Sequence, residues 1–119
     1  MTRKRFDSHG TEFSLWLRKQ KEIDSSLGFI ATNIDYAWTN YKTGKWMLIE
    51  EKRYSSQPKF YQEKIFTTID KACRNDVNYC GFHKLVFQNT GPDDGLMWLD
   101  DVVITKEQLI YFLTYFGKK

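Results

Sequence analysis

Two cysteines, two prolines and two histidines are all that the 119 residues hold of those types. Cys73 and Cys80 are too few and too unpatterned for a disulfide scaffold, and no His or Cys cluster has zinc spacing, which points to a reducing compartment and excludes a zinc module. No apolar run reaches membrane-spanning length, and no basic-then-apolar leader opens the chain. There is no internal repeat, no low-complexity stretch and nothing that marks a linker. The expectation is one soluble, intracellular (cytoplasmic) domain over residues 1–119 with no membrane partner.

What is abundant is aromatic: 17% Phe, Trp and Tyr argues for a packed core and against disorder. A net charge of +3 and a pI near 8.8 permit a nucleic-acid partner without establishing one. The distribution says more than the sum. Arg3, Lys4 and Arg5, then Arg18, Lys19 and Lys21, then Lys42, Lys45, Lys52 and Arg53 make the first half basic, while Asp93, Asp94, Asp100 and Asp101 make the late region acidic.

Along the chain, Ser8 or Thr11 can cap a first helix, in which Phe13, Trp16 and Leu17 recur at helical spacing and which ends near Ile23. From Phe29 to Thr39 and from Lys45 to Arg53 run two arms rich in β-branched and aromatic residues, joined by the polar, glycine-closed Asn40 to Gly44, and these read as an antiparallel hairpin. Ser55, Ser56 and Pro58 announce a second helix reaching about Arg74, with Tyr61, Ile65, Ile69 and Ala72 as its buried stripe, reinforced by Phe60, Phe66 and Cys73. A third strand follows over Tyr79 to Asn89, then a ribbon of Leu96 to Leu99 and Val102 to Ile104. A last helix is capped by Thr105 with Gln108 in capping-box spacing, presents Leu109, Phe112, Leu113 and Phe116, and is closed by Gly117 and two lysines. The order is α-β-β-α-β-β-β-α, an α/β or α+β domain.

The hairpin carries charges where a core should be. The pleat places Trp46, Leu48, Glu50 and Lys52 on one face and Met47, Ile49, Glu51 and Arg53 on the other. Asp35 sits among Ile34, Tyr36 and Trp38, where a carboxylate is costly unless its desolvation is offset, and a divalent cation would offset it. Asp35 opposite Glu50, with Lys52 one pleat on, makes a small patch that suits a hard metal ion bound by carboxylate oxygens. Glu51 is turned away and reads as a salt-bridging surface residue, and His9 and His83 read as incidental.

Asp35 followed by Glu50-Glu51-Lys52, on a hairpin between two helices, resembles the PD-(D/E)xK nuclease superfamily, in its small resolvase-like or phage-type members. The likeness runs from Gly10 to about Arg74, and the sequence departs from it in having Asn33-Ile34 where the motif's proline would precede the aspartate. The resemblance implies a restriction-endonuclease-like core, α-β-β-α-β followed by a short ribbon and a C-terminal helix. It implies Asp35, Glu50 and Lys52 as catalytic residues, with Mg²⁺ (Mn²⁺ substituting) held by Asp35, Glu50 and the backbone carbonyl of Glu51. Glu12 is a further candidate ligand, although an acid in a helix's first turn is equally explained by the helix dipole. Gln57, which begins a Gln-x-x-x-Tyr match ending at Tyr61, and Gln62 are rival accessory polar residues, Glu63 being a third; Arg18, Lys19, Lys42, Lys45 and Arg53 would hold nucleic acid.

The function so implied is a Mg²⁺-dependent DNA endonuclease. Its small size leaves little room for a sequence-reading domain, which favours structure-selective cutting of junctions, flaps or branches, from a phage, mobile-element or archaeal source, and a homodimer would supply extra surface. Two alternatives stand beside it: a non-catalytic nucleic-acid-binding or scaffold protein of nuclease-like fold, and an exonuclease or nicking subunit of a larger complex.

Overall fold

A computed structural model of the chain describes residues 11–116. Ser8, His9, the Arg3-Lys4-Arg5 cluster and the closing Gly117, Lys118 and Lys119 lie outside the described residues. The polypeptide divides into two units, with the boundary between Thr32 and Asn33.

In the first unit, helix α1 (Glu12–Lys19) starts at Thr11, whose hydroxyl accepts the Ser14 N–H at 3.1 Å, with an acid in the first turn and Arg18 and Lys19 in the last, so that both ends complement the helix dipole. It stops short of Ile23. Lys21–Ile23 and Ser25–Leu27 form separate single 3₁₀ turns, the second capped by Asp24 and ended by Gly28 at φ +98°.

The second unit is mixed α+β. Strands β1 (Tyr36–Thr39), β2 (Trp46–Lys52), β3 (Tyr79–Phe87), β4 (Met97–Leu99) and β5 (Val102–Val103) make one sheet in sequential order, with helix α2 (Phe60–Cys73) between β2 and β3 and helix α3 (Lys106–Leu113) at the end. β2 and β3 run parallel, as a crossover through a helix requires, and the remaining neighbours are antiparallel. Met47, Leu48, Ile49 and Glu50 are buried in succession, because β2 is covered on both faces. On one face Met47, Ile49, Leu85, Phe87 and Met97 pack with Leu109, Phe112 and Tyr115 from α3 and the turn after it. On the other, Phe66 of α2 lies on Phe82 with ring centroids 4.6 Å apart.

Three expectations change in detail. The first arm of the hairpin is a strand only from Tyr36, so Phe29 to Asp35 approach it as irregular chain. Helix α2 begins at Phe60 rather than at Pro58; Lys59 is its N-cap and Gln62 closes back on the Lys59 N–H at 3.0 Å, so the proline stands just outside. Its inward stripe is Gln62, Phe66, Ile69 and Cys73, whereas Phe60 is 77% exposed and Tyr61 and Ile65 are also exposed. Phe66, Ile69 and Cys73 face inward as expected, but hydrophobic spacing alone also chose Tyr61, Ile65 and Ala72, which are exposed, because the inward row begins with a polar residue that has a polar partner on the sheet. In α3 the Thr105–Gln108 capping box forms, but Tyr115, not Phe116, completes the core.

One glycine is required by the sheet. The β2–β3 pairing steps from Trp46–Tyr79 to Leu48–Phe82, leaving an extra residue in β3, and Gly81 takes it at φ +110°. A Cβ at Gly81 would stand 2.7 Å from His83 Nε2, since the imidazole folds back over the bulge to the Cys80 carbonyl at 2.8 Å. Gly81→Ala is therefore expected to cost roughly 1–3 kcal/mol in chemical denaturation from its backbone alone, with His83 displaced as well; an unchanged midpoint would show that the bulge tolerates a side chain.

Candidate active site

The end of β2 carries the polar cluster. In the β1–β2 register Tyr36 faces Ile49, so one step further brings Asp35 opposite Glu50. Asp35 takes over from the strand at that point: its Oδ2 accepts the Glu51 backbone N–H at 2.8 Å, standing in for a ladder bond that β1 no longer supplies. Glu50 is 4% exposed. Its Oε2 lies 3.3 Å from Lys52 Nζ, and its Oε1 is fully buried with no hydrogen-bond partner. Lys52 Nζ donates in turn to Gln62 Oε1 at 3.3 Å, which fixes the lysine between sheet and helix. Burial pushes the Glu50 carboxyl above its ordinary pKa, the Asp35 charge pushes it further, and Lys52 only partly opposes them.

Among the described residues no group of three or more His, Cys, Asp or Glu side chains gathers as a metal site. Two carboxylates and a main chain remain at this point, a sparse set of the kind that Mg²⁺, which keeps waters and takes phosphate oxygens, is content with. The unpartnered Glu50 Oε1 is the observation that bears on the fit. A buried carboxylate oxygen without a donor is costly, and a cation beside it would remove the cost.

The other expected site residues scatter. Gln57 lies in the chain between β2 and α2 and accepts from Lys84 Nζ at 2.8 Å, not from Lys52. Glu51 bonds the Tyr36 hydroxyl and Arg53 Nε, each at 3.1 Å, so Arg53 is engaged by a carboxylate. Lys42 and Lys45 belong to the hairpin turn, the latter roughly 17 Å along the strand from Glu50. Glu12, Arg18 and Lys19 lie on α1 in the first unit.

Lys84 is the residue that sequence reasoning missed. It pairs with Glu50 across the parallel ladder, so both side chains rise from one face; its side chain is 18% exposed, and its amine bridges Gln57 Oε1 and, at 3.0 Å, Asp101 Oδ1. A lysine in the alternation Phe82-His83-Lys84-Leu85-Val86 was a usable signal, but its neighbour is set by the bulge and by the crossover register, which local patterns do not contain.

Asp100 and Asp101 do more than interrupt a ribbon. They form the two-residue turn from β4 to β5 with φ of +50° and +73°, a left-handed pair that suits aspartate. Asp100 clamps β3 where β4 ends: Oδ1 accepts the Lys84 N–H and Oδ2 meets His83 Nδ1 at 2.7 Å. With Asp70, Arg74 and Tyr79 these groups line a cleft of about 360 Å³. His83 is accordingly not incidental. Both its ring nitrogens face acceptors, the Asp100 carboxylate and the Cys80 carbonyl, and only the imidazolium can donate to both. Burial pulls the His83 pKa down, but the bonds to Asp100 and Cys80 outweigh it and hold the pKa above its ordinary value.

Comparison with family models, with characterised proteins and with solved structures yields no match.

Two expectations follow for stability. Glu50→Gln removes a charge whose burial is unfavourable, so at neutral pH and without divalent metal the variant should melt a few degrees higher than the parent; a lower Tm would mean that the Lys52 pairing outweighs desolvation. A raised native pKa at His83 contributes stability that is complete below 6.5 and is lost as pH rises through the native value. Tm followed over about pH 5–8 should fall through that window in the parent and stay flatter in Asp100→Asn.

Proposed function

We propose that this chain is a metal-dependent deoxyribonuclease of the PD-(D/E)xK type that hydrolyses phosphodiester bonds, with Asp35, Glu50 and Lys52 as its catalytic residues. One observation carries the reading: a buried carboxylate, Glu50, keeps one oxygen without a partner, beside a second carboxylate and within 3.3 Å of a lysine. Carboxylates so placed are expensive to maintain, and functional sites are where such expense concentrates.

In this reading Asp35 and Glu50 hold Mg²⁺, with the Glu51 carbonyl as a further ligand. When bound, the ion polarises the scissile phosphate and lowers the pKa of a coordinated water. Lys52, its amine held in a defined direction by Glu50 Oε2 and Gln62 Oε1, stands beside the phosphate to stabilise the negative charge that grows on it. Gln62 is the accessory polar residue that the geometry favours over Gln57, since it alone of the two touches Lys52. Asp35 has its own fixed seat through the Glu51 N–H, so the carboxylate needs no rearrangement to serve. DNA is the substrate class, its backbone attracted by Lys52 and Lys84, and structure-selective cutting of flaps, branches or junctions is the form of cutting proposed.

The rival reading is a nucleic-acid-binding protein that does not cut. Its support is the same Asp35–Glu51 bond, which gives Asp35 a structural task as the cap of a strand end.

Labelled linear, flapped and four-way DNA incubated with Mg²⁺, Mn²⁺ or a chelator separates the two. Metal-dependent cutting is expected, reduced about 10²–10³-fold in Lys52→Met and in Asp35→Asn. Cutting that survives both substitutions would remove the site assignment, and tight binding without cutting in any metal would establish the rival.

A further inference from the structure

A second feature opens on the same face of the sheet. Lys52 pairs with Val86 on β3, and Val86 with Trp98 on β4, so the three form one row. Trp98 thus rises two strand spacings, about 10 Å, from the lysine. Between them lies a cavity of about 340 Å³ lined by Ser55, Gln57, Val86, Trp98 and Asp101. That is the lower end of the range for small-molecule sites and suits one flat heterocycle better than a larger ligand.

Its walls are chemically uneven. Val86, almost wholly buried, is the apolar floor, and the half-buried indole of Trp98 is the aromatic wall. The Gln57 oxygen is engaged by Lys84 at 2.8 Å, which leaves the amide nitrogen as the donor directed elsewhere, while Asp101 brings an exposed carboxylate acceptor whose seat Lys84 also fixes. Lys84 thereby sets one donor and one acceptor from a single half-buried anchor. The rim is held in an unusual conformation: Tyr54 and Ser55 are consecutive left-handed residues, φ +56° and +58°, secured by their N–H groups on the Asn89 and Phe87 carbonyls. Neither side chain makes that conformation easy, and the loop is kept in it next to the cavity.

We propose that this cavity is a subsite for an unpaired nucleobase, guanine in preference to the others, stacked on Trp98 and read at its Watson–Crick edge by Gln57 and Asp101. Guanine presents an acceptor, O6, beside two donors, N1–H and the 2-amino group, which is the complement of an amide N–H₂ beside a carboxylate. Thymine offers a single donor between two acceptors and meets the carboxylate poorly. Stacking on an indole is tolerant of sequence, so the edge groups supply the preference. The inference deepens the nuclease reading, on which its choice of ligand class rests: a base can enter only when it is out of the duplex, so the site selects flaps, loops or single strands near the cut.

The test does not use cleavage. Deoxyguanosine monophosphate, the other three deoxynucleotides and deoxyribose 5-phosphate are titrated into the full chain while the Trp98 indole N–H and Gln57 amide signals are followed by ¹⁵N NMR, assigned with Trp98→Phe and Gln57→Glu. The guanine nucleotide should shift both signals and bind about tenfold more tightly than the thymine nucleotide, and the sugar phosphate should leave Trp98 unmoved. Asp101→Asn, at an exposed turn position, should erase the tenfold preference even if Trp98→Ala proves too unstable to study. Equal responses to all four bases, a Trp98 shift with the sugar phosphate, no shift at all, or a preference that survives Asp101→Asn would each overturn the assignment. Base binding in a chain that cuts no DNA keeps this subsite and removes the nuclease reading; cutting without base binding does the reverse.

Discussion

The burial of one carboxylate governs the arrangement of this protein. Glu50 ends the buried stretch of a strand covered on both faces, a position at which an apolar residue would be cheaper. The neighbourhood is built to tolerate it. Lys52 reaches back to it, Gln62 opens the inward row of α2 where a hydrophobic residue would otherwise sit, and Asp35 replaces a strand residue at the edge so that its carboxylate lies against the same turn of backbone. The charge is compensated in part only, as the upward push on its pKa shows.

From that point polarity spreads across the sheet in rows. Cross-strand pairing puts Lys84 beside Glu50 and continues the Lys52 row through Val86 to Trp98. The opposite face packs its apolar residues against α3, and its polar members Glu51 and His83 have partners of their own. The two faces thus divide labour: one holds the sheet, and the other, along which α2 runs from Gln62 at Lys52 to Asp70 at Tyr79, carries the polar side chains. The bulge at Gly81 fixes which residues fall on which face, because beyond it every side chain of β3 would point the other way if the extra residue were absent.

Much of this was legible locally. Element order, the turn at Gly44, the Thr105 capping box and the shared face of Glu50 and Lys52 follow from periods of two and 3.6 and from residue types with fixed conformational preferences. What was not legible depends on partners distant in sequence. Lys84 reads as an ordinary strand lysine until the parallel register places it beside Glu50; His83 looks incidental until Asp100 arrives from the turn between β4 and β5. The start of the α2 stripe was misassigned for the same reason, since Tyr61 and Ile65 carry the stronger apolar signal while Gln62 faces inward to a lysine that only the sheet supplies. The expected first arm forms a strand only from Tyr36 to Thr39, because the β content of Phe29 to Asp35 without a pairing partner does not make a strand.

The edge strand β1 is fastened at its far side by the end of the chain. Trp38 Nε1 donates to the Leu113 carbonyl at 2.8 Å, and the Tyr115 hydroxyl donates to the Trp38 carbonyl at 2.6 Å, a reciprocal pair closing a loop of 75 residues or more. The short strand pairs with β2 on one side, and these two bonds to the end of α3 and the turn after it are its long-range attachment on the other. Asp35 directly precedes this strand. The seat of the carboxylate opposite Glu50 therefore leans on an anchor supplied by α3 and the turn after it, so that loosening Trp38 or Tyr115 disturbs the two-carboxylate patch from outside it.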